Sequence, residues 1–254
     1  MIDSHCHLDG LDDPVAAIDP GLRAIVTVGT TLESDRAALR LAEAHDSVWA
    51  VLGIHPNNAS DADAEDVRRE VEAMAEHARV VGIGETGFDT HWDDETLESQ
   101  RRAFDWHAEL AARLDKALVL HVRDARGGDD ASRAAAEAIG AAGHRRGILH
   151  CFNGHAGLLG KGLELGWMVS FAGNLTFKNA QALRDAALRV PLDRLLVETD
   201  SPYLSPEPRR GKRNTPANVR YTAEALARVR GVALDELEPV LDANAARVYG
   251  WTTG

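Results

Sequence analysis

The stretch Val80-Val81-Gly82-Ile83-Gly84-Glu85-Thr86-Gly87-Phe88-Asp89 opens as a continuous apolar run and ends among carboxylates. A run that is apolar on successive residues, rather than on alternate ones, suits a parallel strand covered on both faces. Seven more runs of this kind can be read along the chain. The first is Met1-Ile2 leading into His7, and the others span 24–29, 48–54, 117–122, 147–151, 167–171 and 195–199. Segments with helical spacing alternate with them at 32–45, 62–77, 96–114, 131–142, 157–165, 179–190, 215–230 and 234–249. Within the second of these, Val67, Val71 and Met74 recur on one helical face. Eight strand–helix units in 254 residues match the arithmetic of a (β/α)8 TIM-like barrel. The expected fold is therefore α/β, a single barrel domain over 1–254. A doubly wound open sheet is the alternative, with about five to seven strands more usual.

Composition narrows the function classes. Hydrophobic residues make up 44% of the chain, enough for a sizeable core. No apolar stretch reaches the about 18 residues of a membrane span, and no basic segment precedes Asp3 as in a secretory leader. Two cysteines, Cys6 and Cys151, suit a reducing compartment, so a cytoplasmic location without membrane association is expected. The net charge of −12 argues against a protein that coats nucleic acid with its whole surface. It leaves room for an enzyme with a local basic or metal-lined site.

In such barrels the active site lies at the C-terminal ends of the strands. The runs end in Asp3-Ser4-His5-Cys6-His7, Gly53-Ile54-His55-Pro56, Glu85-Thr86-Gly87-Phe88-Asp89, His121-Val122-Arg123, His150-Cys151-Phe152-Asn153 and Glu198-Thr199-Asp200-Ser201-Pro202. Histidines and carboxylates at one depth on so many strands form a collective pattern. His45, His77, His107 and His144 fall in or beside helices and read as core or surface residues. Alternate residues of a strand point to one face, so His5 and His7 should point together and Cys6 away. Both Cys6 and Cys151 are read as packing residues, facing away from their neighbouring histidines.

His5, His7, Glu85, His121, His150 and Asp200 thus supply nitrogen and oxygen ligands without thiolates. That set suits zinc, manganese or another first-row ion better than calcium. Six ligands are too many for one catalytic ion but divide well between two. His5, His7 and Asp200 would hold one, His121 and His150 the other, and Glu85 would bridge them. Asp3 and Glu198 are expected to orient the ligands from behind.

These motifs run in order from Met1 nearly to the end, and in them the chain resembles the TatD-type metal-dependent deoxyribonucleases of the amidohydrolase-like barrel superfamily. Phe88 stands where leucine is commoner in that family. The resemblance implies a TIM-like barrel, a divalent metal centre at the six residues above, and hydrolysis of DNA phosphodiester bonds. The expected reaction uses a metal-bound hydroxide, with Glu85 and Asp200 catalytic and Asp200 taking the proton. Action as a 3′–5′ exonuclease is one form of it. Two divalent ions per chain, zinc, manganese or magnesium, are the expected cofactors. The expected partner is DNA, single-stranded or at duplex ends, and the protein is expected to be a monomer. The alternative is a metal-dependent amidohydrolase or aminoacyl-ester deacylase acting at a carbonyl carbon.

Further residues are candidates for substrate contact. Arg209, Arg210, Lys212 and Arg213 crowd one loop after Asp200, and arginine's fork suits phosphate. Arg209 and Arg210, with Lys178, Arg123, His55 and Asn153, form the predicted substrate-binding set. Trp92 is the better candidate for base stacking, and Phe152 for core packing.

Overall fold

A computed structural model describes residues 1–92 and 94–251. The described residues form eight strands and eight α-helices. The strands are β1 (Ile2–Cys6), β2 (Ala24–Val28), β3 (Val48–Leu52), β4 (Val80–Asp89), β5 (Ala117–Arg123), β6 (Gly147–Leu149), β7 (Met168–Phe171) and β8 (Leu195–Val197). The helices are α1 (Leu32–Ala44), α2 (Glu65–Ala75), α3 (Leu97–Leu114), α4 (Asp130–Ala142), α5 (Ala156–Leu165), α6 (Gln181–Arg189), α7 (Val219–Arg230) and α8 (Leu234–Tyr249). A 3-10 turn rather than an α-helix joins β1 to β2, one α-helix follows each of β2 to β7, and two follow β8. All neighbouring strands pair in parallel, in chain order from β1 to β8. The seam closes just beyond β8: His7 N–H donates to the Ser201 carbonyl at 2.7 Å, and Asp200 N–H to that of His5 at 3.0 Å. Asp3 reinforces it, its carboxylate accepting from Thr199 N–H at 2.9 Å and Thr199 Oγ1–H at 2.6 Å. The (β/α)8 architecture is therefore the one read from the apolar runs.

Several boundaries differ for local reasons. The segment expected as one helix over 62–77 begins instead as a 3-10 stretch, Pro56–Asp63, and becomes α-helical only at Glu65. Residues 215–218 likewise enter α7 through a 3-10 turn. β4 is longer than the apolar run and carries through Glu85 to Asp89. β6 and β8 are shorter than expected, because their last residues turn away into the site.

One core layer lies between the barrel and its helices, with Phe104, Leu110, Ile139 and Trp167 fully buried or nearly so. The barrel interior is separate. Ile2, Ala24, Val51, Val81, Ala117, Ile148, Met168 and Leu196, one from each strand, meet Ala245, Val248 and Tyr249 of α8. α8 therefore plugs the N-terminal mouth, and Ile2 N–H donates to Asp242 Oδ1 of that helix at 2.9 Å. Among the described residues, no such plug covers the C-terminal mouth.

Candidate metal centre

Two bulges set the centre. Between Asp3↔Ile25 and Cys6↔Thr27, β1 holds one residue more than β2. Between Ile83↔Leu118 and Thr86↔Leu120, β4 holds one more than β5. A bulge re-aims side chains, and these two carry His5 and Glu85. Glycines flank Glu85: Gly84 has φ +132° and Gly87 φ +143°. A Cβ on Gly87 would lie 2.0 Å from the His121 carbonyl oxygen, and one on Gly84 2.4 Å from that of Val119. No other residue allows β4 to press so closely on the strand that carries His121.

The six predicted ligands converge on Glu85. Its Oε2 lies 3.4 Å from His5 Nε2 and 3.6 Å from His7 Nε2. Its Oε1 lies 2.7 Å from His121 Nδ1 and 3.4 Å from His150 Nε2. Asp200 Oδ1 stands 3.4 Å from His7 Nε2 and 4.0 Å from His150 Nε2. The His5 and His150 rings stack at 3.6 Å. The donor atoms of His5, His7 and Asp200 are mutually close enough to share one cation, and so are those of His55, Glu85 and His121.

A second layer holds these side chains. His7 Nδ1 faces the Val28 carbonyl at 2.9 Å. His150 Nδ1 lies 2.8 Å from Glu198 Oε1, which also accepts Cys151 N–H at 2.7 Å. His121 Nε2 lies 3.0 Å from Asp89 Oδ2. Glu198 thus stands behind His150, one of the predicted ligands. Asp3 serves the barrel seam instead, touching His5 only through its backbone N–H. Asp89 has no predicted role, although it lies four residues beyond Glu85 on a strand, a spacing that places both on one face.

The electrostatics fit a cation site. Burial pushes the Glu85 carboxyl up, but His150, His121 and His5 prevail and hold it well below the usual range. Asp200 is likewise lowered, its burial outweighed by His7 and His150. Burial lowers His7 and His150, yet Asp200 and Glu85 lift the first to about 9, and Glu198 with Glu85 lift the second to about 10. The carboxylates thus demand positive charge at their centre. Among the described residues His5 Nε2 and Glu85 Oε2 are buried with no hydrogen-bond partner, as expected of atoms whose partner is a metal ion.

The centre lies in a cleft of about 1260 Å³, lined among others by His55, Trp92, Arg123, Asp129, Asn153 and Tyr203. Arg123 lies over the Trp92 ring, 5.6 Å from its centroid. Trp92 and Tyr203 are 50% and 62% exposed, whereas Phe152 is buried. Asn153 lines the cleft, but its amide is engaged: Nδ2 donates to Ser132 Oγ at 2.8 Å and Asp124 Oδ2 at 3.2 Å, and Oδ1 accepts His155 N–H at 3.0 Å. It orders the wall. Lys178, Arg209 and Arg210 are exposed and do not line the cleft. Arg209 packs on Tyr221 and Arg210 on Phe177, aromatic partners that come from outside their own loop. Cys6 is buried away from its histidines. Cys151 departs from expectation: β6 ends at Leu149, strand alternation lapses, and with φ +42° the residue turns toward the cleft.

Comparison with known proteins agrees with this geometry. The family model described as TatD related DNase matches residues 2–250. The chain belongs to the TatD family of metal-dependent hydrolases. It is 43% identical to the uncharacterized metal-dependent hydrolase YcfH of Escherichia coli K12, over 98% of this chain and 95% of that one. It is 38% identical to the uncharacterized metal-dependent hydrolase TatD of Mycobacterium tuberculosis H37Rv, over 98% of each. The crystal structure of the TatD homologue YJJV from Escherichia coli K12 superposes with a TM-score of 0.90 at 27% identity, covering 99% of this chain and 98% of that one. The TatD-family relatives thus extend over the whole barrel, including both bulged strands.

Proposed function

We propose that this TatD-family chain hydrolyses DNA phosphodiester bonds with two divalent cations, zinc, manganese or magnesium. His5, His7 and Asp200 would hold one ion, His121 and His150 the other, with Glu85 between. The observation that carries this reading is the split of Glu85, which gives one oxygen to the His5–His7 pair and the other to the His121–His150 pair. When bound, such ions lower the pKa of water and stabilise both attacking and leaving oxygens. Asp200, ionised and facing the cleft, is the base that takes the proton of the attacking water. Arg123, which lies over the Trp92 ring in the cleft, would contact a phosphate, and Trp92 would stack a base. The family's description as a DNase supports phosphorus over carbon as the reacting centre. On this reading the protein is a cytoplasmic monomer that acts on single strands or duplex ends. The chain also lacks, among the described residues, any helix long and apolar enough to cross a membrane.

The test is cleavage of single- and double-stranded DNA with each of the three ions, alongside metal analysis of the purified protein. We expect cleavage, two ions per chain, and a loss of more than about 10³-fold in Glu85→Ala. Activity that survives in Glu85→Ala would sink the mechanism. Turnover of a carboxylic ester or amide, with DNA left intact, would move the reading to carbonyl chemistry.

A further inference from the structure

The imidazoles around Glu85 do not carry their protons alike. A neutral imidazole has one N–H and one bare nitrogen, and what faces one nitrogen decides which is which. With a cation bound, His7 would keep its proton on Nδ1, which faces the Val28 carbonyl, and offer Nε2. His150 would keep its proton on Nδ1, against Glu198, and offer Nε2. His121 is turned round: Nε2 faces Asp89, so Nδ1 is the nitrogen it would offer. The nitrogen that each would offer points at Glu85.

His55 is the reverse. It caps the 3-10 stretch that follows β3, and its Nδ1 accepts the Asn57 N–H at 3.1 Å. Nδ1 is therefore the bare nitrogen, and the proton sits on Nε2. That N–H faces the cleft, 3.7 Å from Glu85 Oε1. To ligate a cation through Nε2, His55 would have to move its proton to Nδ1, against the Asn57 N–H. The residue is also pinned. Its own N–H donates to the Thr30 carbonyl at 2.9 Å, its carbonyl accepts Asn58 N–H at 2.8 Å, and its ring sits edge-on to His121 at 4.4 Å. Behind it, Ile54 N–H donates to His107 Nε2 at 2.9 Å, and His107 Nδ1 faces the Ala103 carbonyl at 2.7 Å.

We propose that His55, although within reach of Glu85 and His121, is not a cation ligand but the neutral N–H donor of the centre, giving its Nε2 hydrogen bond to the phosphoryl oxygen that gains charge. A neutral imidazole suits that task as a hydrogen-bond donor and not as an acid, because losing its only N–H proton would leave an imidazolate. No bond breaks at His55. His107 acts as a positioning residue through the Ile54 backbone. The phosphoryl contact rests on the function proposed above, whereas the tautomer and the exclusion from the ligand set do not.

The experiment combines nitrogen NMR of isotopically labelled histidine in the zinc-loaded full chain with metal analysis and kinetics of three variants. His55→Gln assigns the ring signals and keeps a side-chain N–H. His55→Leu removes it, and His55→Glu offers a ligand atom without a donor. We expect His55 as the Nε2–H tautomer and wild-type ion content in His55→Gln and His55→Leu. We expect kcat on DNA to fall about 10²- to 10³-fold in His55→Leu and His55→Glu, and less than about tenfold in His55→Gln. An Nδ1–H tautomer, or ion content that falls in His55→Gln, overturns the exclusion from the ligand set. Unchanged kcat in His55→Leu overturns the phosphoryl contact. If the wild-type chain cleaves no DNA, it is the proposed substrate that fails, and the NMR and metal analysis still decide whether His55 is a ligand.

Discussion

The two mouths of the barrel are built from the same eight strands and solved in opposite ways. At the N-terminal mouth each strand contributes an apolar side chain, and α8 covers them with Ala245, Val248 and Tyr249. The Tyr249 hydroxyl is paired there, donating to the Ser4 carbonyl at 2.8 Å, although Trp251 Nε1 beside it has no partner among the described residues. At the C-terminal mouth the same interior ends in Glu85, Asp200 and a ring of imidazoles. Several of those atoms are buried without partners. One end lowers its free energy by removing apolar surface from water. The other keeps unpaired polar groups whose burial costs stability and whose use is chemical. The difference teaches that this cost gathers around Glu85 and reaches the carboxylate behind His150, since Glu198 Oε2 is also buried without a partner among the described residues.

The strongest challenge to that division is pH. His107 sits behind the upper layer, where burial, and to a lesser degree Arg68, lower it to about 4 against the Ala103 hydrogen bond. It is thus neutral in the fold, while in the unfolded chain it titrates near 6.5. The unfolded chain binds the extra proton, so this contribution is present in full above about pH 6.5 and is lost as pH falls toward 4. The loss amounts to about 3 kcal/mol. Denaturant unfolding of wild type and His107→Phe across pH 4 to 7 should show the variant with a slope flatter by about one proton. Equal slopes would mean that the upper scaffold is not poised as described.

Next in size is the second layer. Glu198→Gln keeps the volume behind His150 but weakens the hold on its Nδ1 proton. Metal affinity measured by titration calorimetry should fall about 10- to 100-fold with the fold intact. An unchanged affinity would make Glu198 a packing residue and blur the contrast between the mouths. The smallest effect belongs to the plugged end. Tyr249→Phe leaves the Ser4 carbonyl without its donor and should cost about 1 kcal/mol, with kcat and ion content unchanged. A change in turnover larger than the change in stability would show the two mouths to be coupled.

Much of this was legible beforehand because its signals are local. Apolar runs such as 117–122 and the helical spacing between them follow from strands buried on both faces and helices buried on one. His5 and His7 share a face by alternation alone. The convergence of these six side chains was legible too, since strand ends in a parallel barrel share one rim. Legibility failed where the backbone leaves regular geometry. Cys151 was read by alternation, but β6 had already ended. Asn153 stands in the predicted substrate-binding set, but Asp124 after β5 and Ser132 of α4 use its amide. His107 was read as an ordinary helical histidine, and nothing nearby in sequence reveals that Ile54 N–H is its partner.

The sequence by itself determined the barrel and which residue types gather at its rim, because period, polarity and spacing are properties of the residues themselves. Only the tertiary structure decided how Glu85 divides its oxygens, which nitrogen of each histidine faces it, and which basic residues reach the cleft. Those depend on bulges, caps and carbonyls brought together from distant strands, and hydrogen-bond direction is set by the partner rather than by the residue that carries the ring.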